Sequence, residues 1–158
     1  WKKYMEKEYG CKVALKSPAH ITLLPPFSIA AEKENELGKY LEEFAHSAKS
    51  FSIGLKDFDN FKPRVIFLHV EPGPSLLILK DQLDQYLLTH KNFSFKKEDR
   101  SFHPHITIAN RDLHKKDFGD AWAYFQHLSY EAQFVADGIS LLRHNNKEWE
   151  IANTFEFI

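Results

Sequence analysis

The sequence predicts an α+β fold built from a repeated unit, and three observations carry that expectation. Three stretches place apolar residues at the helical period, and several short segments carry strand patterns between them. The elements also recur in the same order after two matching segments, "PAHITLL" at 18–24 and "HPHITIA" at 103–109.

Taken in chain order, residues 1–9 read as the end of a helix stopped at Gly10, the residue best able to take a left-handed cap. The segment around His20 reads as a strand. Leu37, Tyr40, Leu41, Phe44, Ala45 and Ala48 then follow helical spacing, with acidic residues in the preceding turn to meet the helix dipole. Phe51–Leu55 alternates apolar with small or polar residues, as a half-buried strand does. "RVIFLHV" (64–70) is almost continuously apolar, which suits a strand covered on both faces. A helix striped by Leu76, Leu79, Leu83, Tyr86 and Leu87 enters through "EPGPS". After the strand at His105 comes a helix bearing Phe118, Ala121, Trp122, Phe125 and Leu128, with Asp117 as its N-cap. A strand near Phe134 follows. "ISLL", the turn "RHNNK" and a last strand, whose Trp149, Ile151, Phe155 and Phe157 share one parity, read as a hairpin.

Both His20 and His105 are followed by a helix and then a strand at nearly the same distance. Strand 64–70 and its helix precede His105, whereas only helix 1–9 precedes His20. The pattern is a duplicated β-α-β-α-β unit whose first strand is expected to lie outside this chain.

Composition narrows the function classes. A length of 158 residues with 43% hydrophobic and 15% aromatic content fits one globular domain with a sizeable core. The formal charge of −1 lacks the basic footprint of a nonspecific nucleic-acid binder, so a nucleic acid would have to be met locally, at a pocket. The single cysteine, Cys11, excludes an internal disulfide, fits a reducing, cytoplasmic setting, and has no neighbouring histidine or acid to activate it. The longest apolar run, Ile21–Ala31, is broken by Pro25 and Pro26, so no membrane association is expected.

The two His-Ile-Thr segments carry the chemistry. In a strand, residues i and i+2 share a face. His20 and Thr22 therefore project together with Ile21 and Leu23 behind them, and His105 and Thr107 do the same in front of Ile106 and Ile108. Two imidazoles facing across a cleft suit phosphodiester chemistry: the neutral one takes a proton from the nucleophile, and the charged one gives a proton to the leaving oxygen. Two hydroxyls can donate to the non-bridging phosphate oxygens. This division of labour needs no metal and no cofactor, and predicts a bell-shaped pH dependence.

Lesser candidates surround the four. His103 shares parity with His105 and is expected at the pocket rim; with His20 and His105 it would also make a zinc site, the metal-dependent alternative. Lys16, Arg64, Arg100 and Arg111 can bind phosphate or carboxylate, and Phe27, Phe102 and Trp149 can stack a base; for each, solvated charge or core packing is the simpler role. "KKEDR" at 96–100 reads as a solvated mixed-charge loop. A module that binds a nucleotide or RNA end without turnover is the other alternative.

"AHITLLPPF" and "PHITIANRD" resemble the paired H-x-T-x motifs of the 2H phosphoesterase superfamily, which includes 2′-5′ RNA ligase-like proteins and 2′,3′-cyclic phosphodiesterases. The resemblance implies a single bilobal domain over 1–158, with pseudo-symmetric lobes (about 1–60 and 61–158) around a central cleft. It implies that His20 and His105 are acid and base, that Thr22 and Thr107 hold phosphate, and that no metal takes part. The implied substrate is a nucleotide or RNA terminus bearing a cyclic or 2′-linked phosphate.

Overall fold

The computed structural model describes residues 1–96 and 98–158, so Lys97 of the mixed-charge loop lies outside the described residues. The elements run α1 (Lys2–Tyr9), α2 (Glu34–His46), β1 (Phe51–Phe61), β2 (Val65–Val70), α3 (Pro74–Thr89), β3 (His105–Ala109), α4 (Phe118–Phe125), β4 (Glu131–Ala136), β5 (Gly138–His144) and β6 (Trp149–Glu156). Helix α1 ends at Gly10 in the left-handed conformation, φ 69°, as its sequence predicts. Pro74 opens α3, where a missing N–H costs nothing. Asp117 does precede α4, but its side chain makes no capping bond.

From β2 to β4 the chain follows the predicted β-α-β-α-β order. Strands β3-β2-β1-β4 form one antiparallel sheet, and β5 and β6 form a separate hairpin. Two hydrophobic cores result. One packs α1 and α4, through Met5, Phe118, Ala121 and Phe125, on the sheet face bearing Leu55, Phe58, Ile66, Leu68, Val70 and Ile108. The other packs α2 and α3, through Leu37, Leu41, Phe44, Leu79, Leu83 and Leu87, on Ile139 and Phe155 of the hairpin. Leu23 and Phe51 touch both cores and so border the groove between them. The α+β class is thus the architecture observed, and each of the two cores draws residues from both sides of position 60.

Two local readings differ. The segment around His20 is not a strand, and among the described residues it pairs with no strand of either sheet. Its alternation survives nonetheless: Ile21 and Leu23 are partly buried against the first core. In β6, a register shift pairs Leu141 with Asn153 but Leu142 with Ile151, so Ala152 is an extra residue. A bulge reverses side-chain parity, which leaves Ile151 54% exposed while Phe155 is buried. Among the described residues no helix is long and apolar enough to cross a membrane.

Phe125 has no exposed surface and packs against the rings of Phe58 and Tyr4, at 5.1 and 5.9 Å between centroids. Phe125→Ala is expected to cost about 3–5 kcal/mol in chemical denaturation through lost contacts and a cavity. A loss below about 1 kcal/mol would mean that α4 is not part of the core's packing.

Candidate active site

Strand β3 lies at an edge of the sheet, paired with β2 so that Thr107 stands opposite Phe67 and His105 opposite His69. Residues directly opposite in an antiparallel pair share a face. This face is the one turned away from α1 and α4. Phe67 is fully buried there, and the rings of Phe61, His105 and His103 lie 4.5, 5.0 and 5.6 Å from it. His105 consequently rests on an apolar floor.

The two motif histidines are held alike. His105 Nδ1 lies 2.7 Å from the carbonyl oxygen of His103, and His20 Nδ1 lies 2.7 Å from that of Pro18. In each case the partner is two residues upstream. A carbonyl oxygen only accepts, so Nδ1 must carry the hydrogen. That fixes the neutral tautomer and leaves Nε2 as the atom that gains and loses a proton. The first motif achieves this without a ladder and the second within one, so the bond is a property of the local turn into each histidine.

Burial pushes the His105 pKa below its ordinary 6.5. The bond to the His103 carbonyl works in the opposite direction, and positive charge on His103 and on His20 adds to the lowering. His20 is thus close enough for its charge to bear on His105.

A cleft of about 1030 Å³ runs between the two cores, and His20, Thr22 and Thr107 line it. His105 is not part of that lining. It is half-buried on the same face of β3 as Thr107, two residues away. Among the described residues neither threonine hydroxyl is engaged in a hydrogen bond within the chain, so both can donate to a ligand. The other predicted residues divide. Lys16, Arg111, Phe27 and Trp149 line the cleft, whereas Arg64 does not, and Arg100 and Phe102 border a smaller depression beside α3. His103 is exposed next to His105 and is not among the residues that line the cleft. Among the described residues, no three His, Cys, Asp or Glu side chains gather to hold a metal ion.

Several residues escape the sequence reading. Lys2 and Arg143 join Lys16 and Arg111 along the cleft. The one carboxylate on that wall among the described residues, Glu34, is paired with Arg143. The chain as a whole carries −1, yet its cleft presents a cationic field suited to an anion. Asn110 lines the cleft with a buried, unbonded Oδ1, and Asp112 accepts two backbone N–H groups from the segment ahead of the first motif. His69 faces His105 across the ladder, and only knowledge of the strand register could have found it.

The sequence profile described as the 2′-5′ RNA ligase superfamily matches residues 1–148. The chain belongs to that superfamily. The family suggested by the two His-Ile-Thr motifs is therefore the right one, and the chain is a 2H-type phosphoesterase. Among its relatives is the "Putative phosphoesterase" of Geobacillus sp. (strain WCH70), 30% identical over 152 residues, which covers 94% of this chain and 83% of the relative. The RNA 2′,3′-cyclic phosphodiesterase of Bacillus subtilis (strain 168) is 30% identical over 146 residues, covering 87% and 75%. The crystal structure of E. coli LigT complexed with 3′-AMP superposes with a TM-score of 0.57 at 18% identity, covering 98% of this chain and 88% of that one. At that identity the likeness concerns the family's fold.

Proposed function

We propose that the protein opens a 2′,3′-cyclic phosphate, or cleaves a related 2′-linked phosphodiester, at the end of a nucleotide or RNA. Water is the nucleophile and His20 and His105 are the proton carriers. The observation that carries the reading is the shared Nδ1–H···O=C bond, which leaves both Nε2 atoms free for proton exchange. The cationic cleft, the unengaged threonine hydroxyls and the RNA cyclic phosphodiesterase of B. subtilis among the relatives support it.

Burial and the neighbouring charges favour neutral His105, which makes it the base of the hydrolytic direction. Its Nε2 takes a proton from water as the water oxygen bonds to phosphorus. The bond from phosphorus to one ribose oxygen breaks, and His20 Nε2 protonates that oxygen. Thr22 and Thr107 donate to the non-bridging oxygens, where negative charge grows in the transition state. A phosphomonoester and a free ribose hydroxyl result.

The sign of the pH dependence follows. A base must be neutral, so the rate falls as pH drops through the His105 pKa, which lies below 6.5. The acidic limb of kcat/KM is therefore expected below the ordinary imidazole value, with a second limb at higher pH as the acid loses its proton. A pH–rate profile on 2′,3′-cyclic AMP tests this. A profile with no acidic limb across the histidine range would remove His105 from the base role.

A further inference from the structure

We propose that Asp112 is a positioning residue that sets the separation of the two motif histidines by mooring the segment leading to His20 onto the end of strand β3. The carboxylate lies three residues beyond Ala109, the last residue of β3. Its Oδ2 accepts from the backbone N–H groups of Lys12 and Val13, at 2.5 and 2.8 Å, across 100 and 99 residues of sequence. Val13 opens a short 3-10 turn that ends at Lys16, and His20 follows four residues later. The segment carrying His20 has no ladder of its own, so its place depends on anchors of this kind. A second one is Lys2 Nζ donating to the Ser17 carbonyl at 3.0 Å. Strand β3, by contrast, is fixed by β2. A charged acceptor for two backbone amides is stronger and more directional than a neutral one. The tether thus joins the motif that lacks a ladder to the one that lies in β3. A displacement of about 1 Å in such a pair can reduce turnover about a hundredfold.

The inference rests on His20 and His105 being the proton-transfer pair, and its test can be read without turnover. Charge on His20 depresses the His105 titration, so their coupling reports how far apart they sit. NMR titration of His105 would be run in the native chain and in Asp112→Ala, each with and without His20→Gln. With the tether intact, His20→Gln raises the His105 midpoint. In Asp112→Ala that rise is expected to shrink, and kcat on the cyclic substrate is expected to fall about a hundredfold. Asp112→Asn, which keeps an oxygen to accept both amides, is expected to restore coupling and most of the turnover. An undiminished coupling in folded Asp112→Ala would overturn the proposal, whatever happens to activity. Asp112→Ser, too short to reach both amides, serves if the alanine variant does not fold. Unfolding of both would assign Asp112 to stability instead of positioning. Reduced coupling in a protein with no phosphoesterase activity would leave the tether standing and defeat the functional reading alone.

Discussion

His20→Ala and His105→Ala are each expected to lower kcat/KM for a 2′,3′-cyclic phosphate by about 10²–10⁴-fold, the usual contribution of a positioned acid or base. The two losses should not add, because either proton transfer alone leaves the other step uncatalysed. Both imidazoles are only partly buried and are tied within the chain by one local bond from Nδ1 to a carbonyl, with His105 also resting on the Phe67 ring. The variants should therefore fold, and circular dichroism would check it. The roles separate on an activated substrate. A nitrophenyl phosphodiester expels a leaving group that needs no proton. His20→Ala should recover most of its deficit there, while His105→Ala should remain impaired. Equal recovery by both would contradict the assignment of His105 as base.

The threonines carry the second large effect. Thr22→Val and Thr107→Val preserve shape while deleting one donor each, and each is expected to reduce kcat by about 10²–10³-fold. A donor aimed at charge that grows during the reaction acts chiefly on kcat, whereas one that only grips the substrate acts on KM. Thr107 sits in β3, where valine is equally at home, and Thr22 is exposed, so neither change should cost much stability. The corresponding serine variants keep the hydroxyl and should stay within about tenfold of the native rate. Valine variants with native kcat would take the hydroxyls out of the reaction.

Much of this was legible in the residues because it depends on local pattern. The stripes of α2, α3 and α4, the Gly10 stop and the central, doubly covered β2 follow from spacing and from how side chains alternate. The same alternation singles out the pairs His20–Thr22 and His105–Thr107, of which His20, Thr22 and Thr107 line the cleft. What stayed hidden depends on partners far away in sequence. Whether residues 18–24 form a ladder is decided by what lies beside them, which their own alternation does not record. Ala152 turns β6 over through a single extra residue, invisible unless β5 is already aligned with it. Asp112 and His69 matter through contacts that only the folded chain creates. The charge of the cleft was masked by averaging, because Lys2, Lys16, Arg111 and Arg143 are scattered through a chain of net −1.

The most direct test of the central claim follows the phosphorus itself. A short RNA ending in a 2′,3′-cyclic phosphate would be incubated with the protein in excess EDTA and observed by ³¹P NMR. The cyclic phosphodiester signal is expected to give way to that of a phosphomonoester, in chelator and without added cofactor. A cyclic phosphate that survives intact beside folded protein would contradict it.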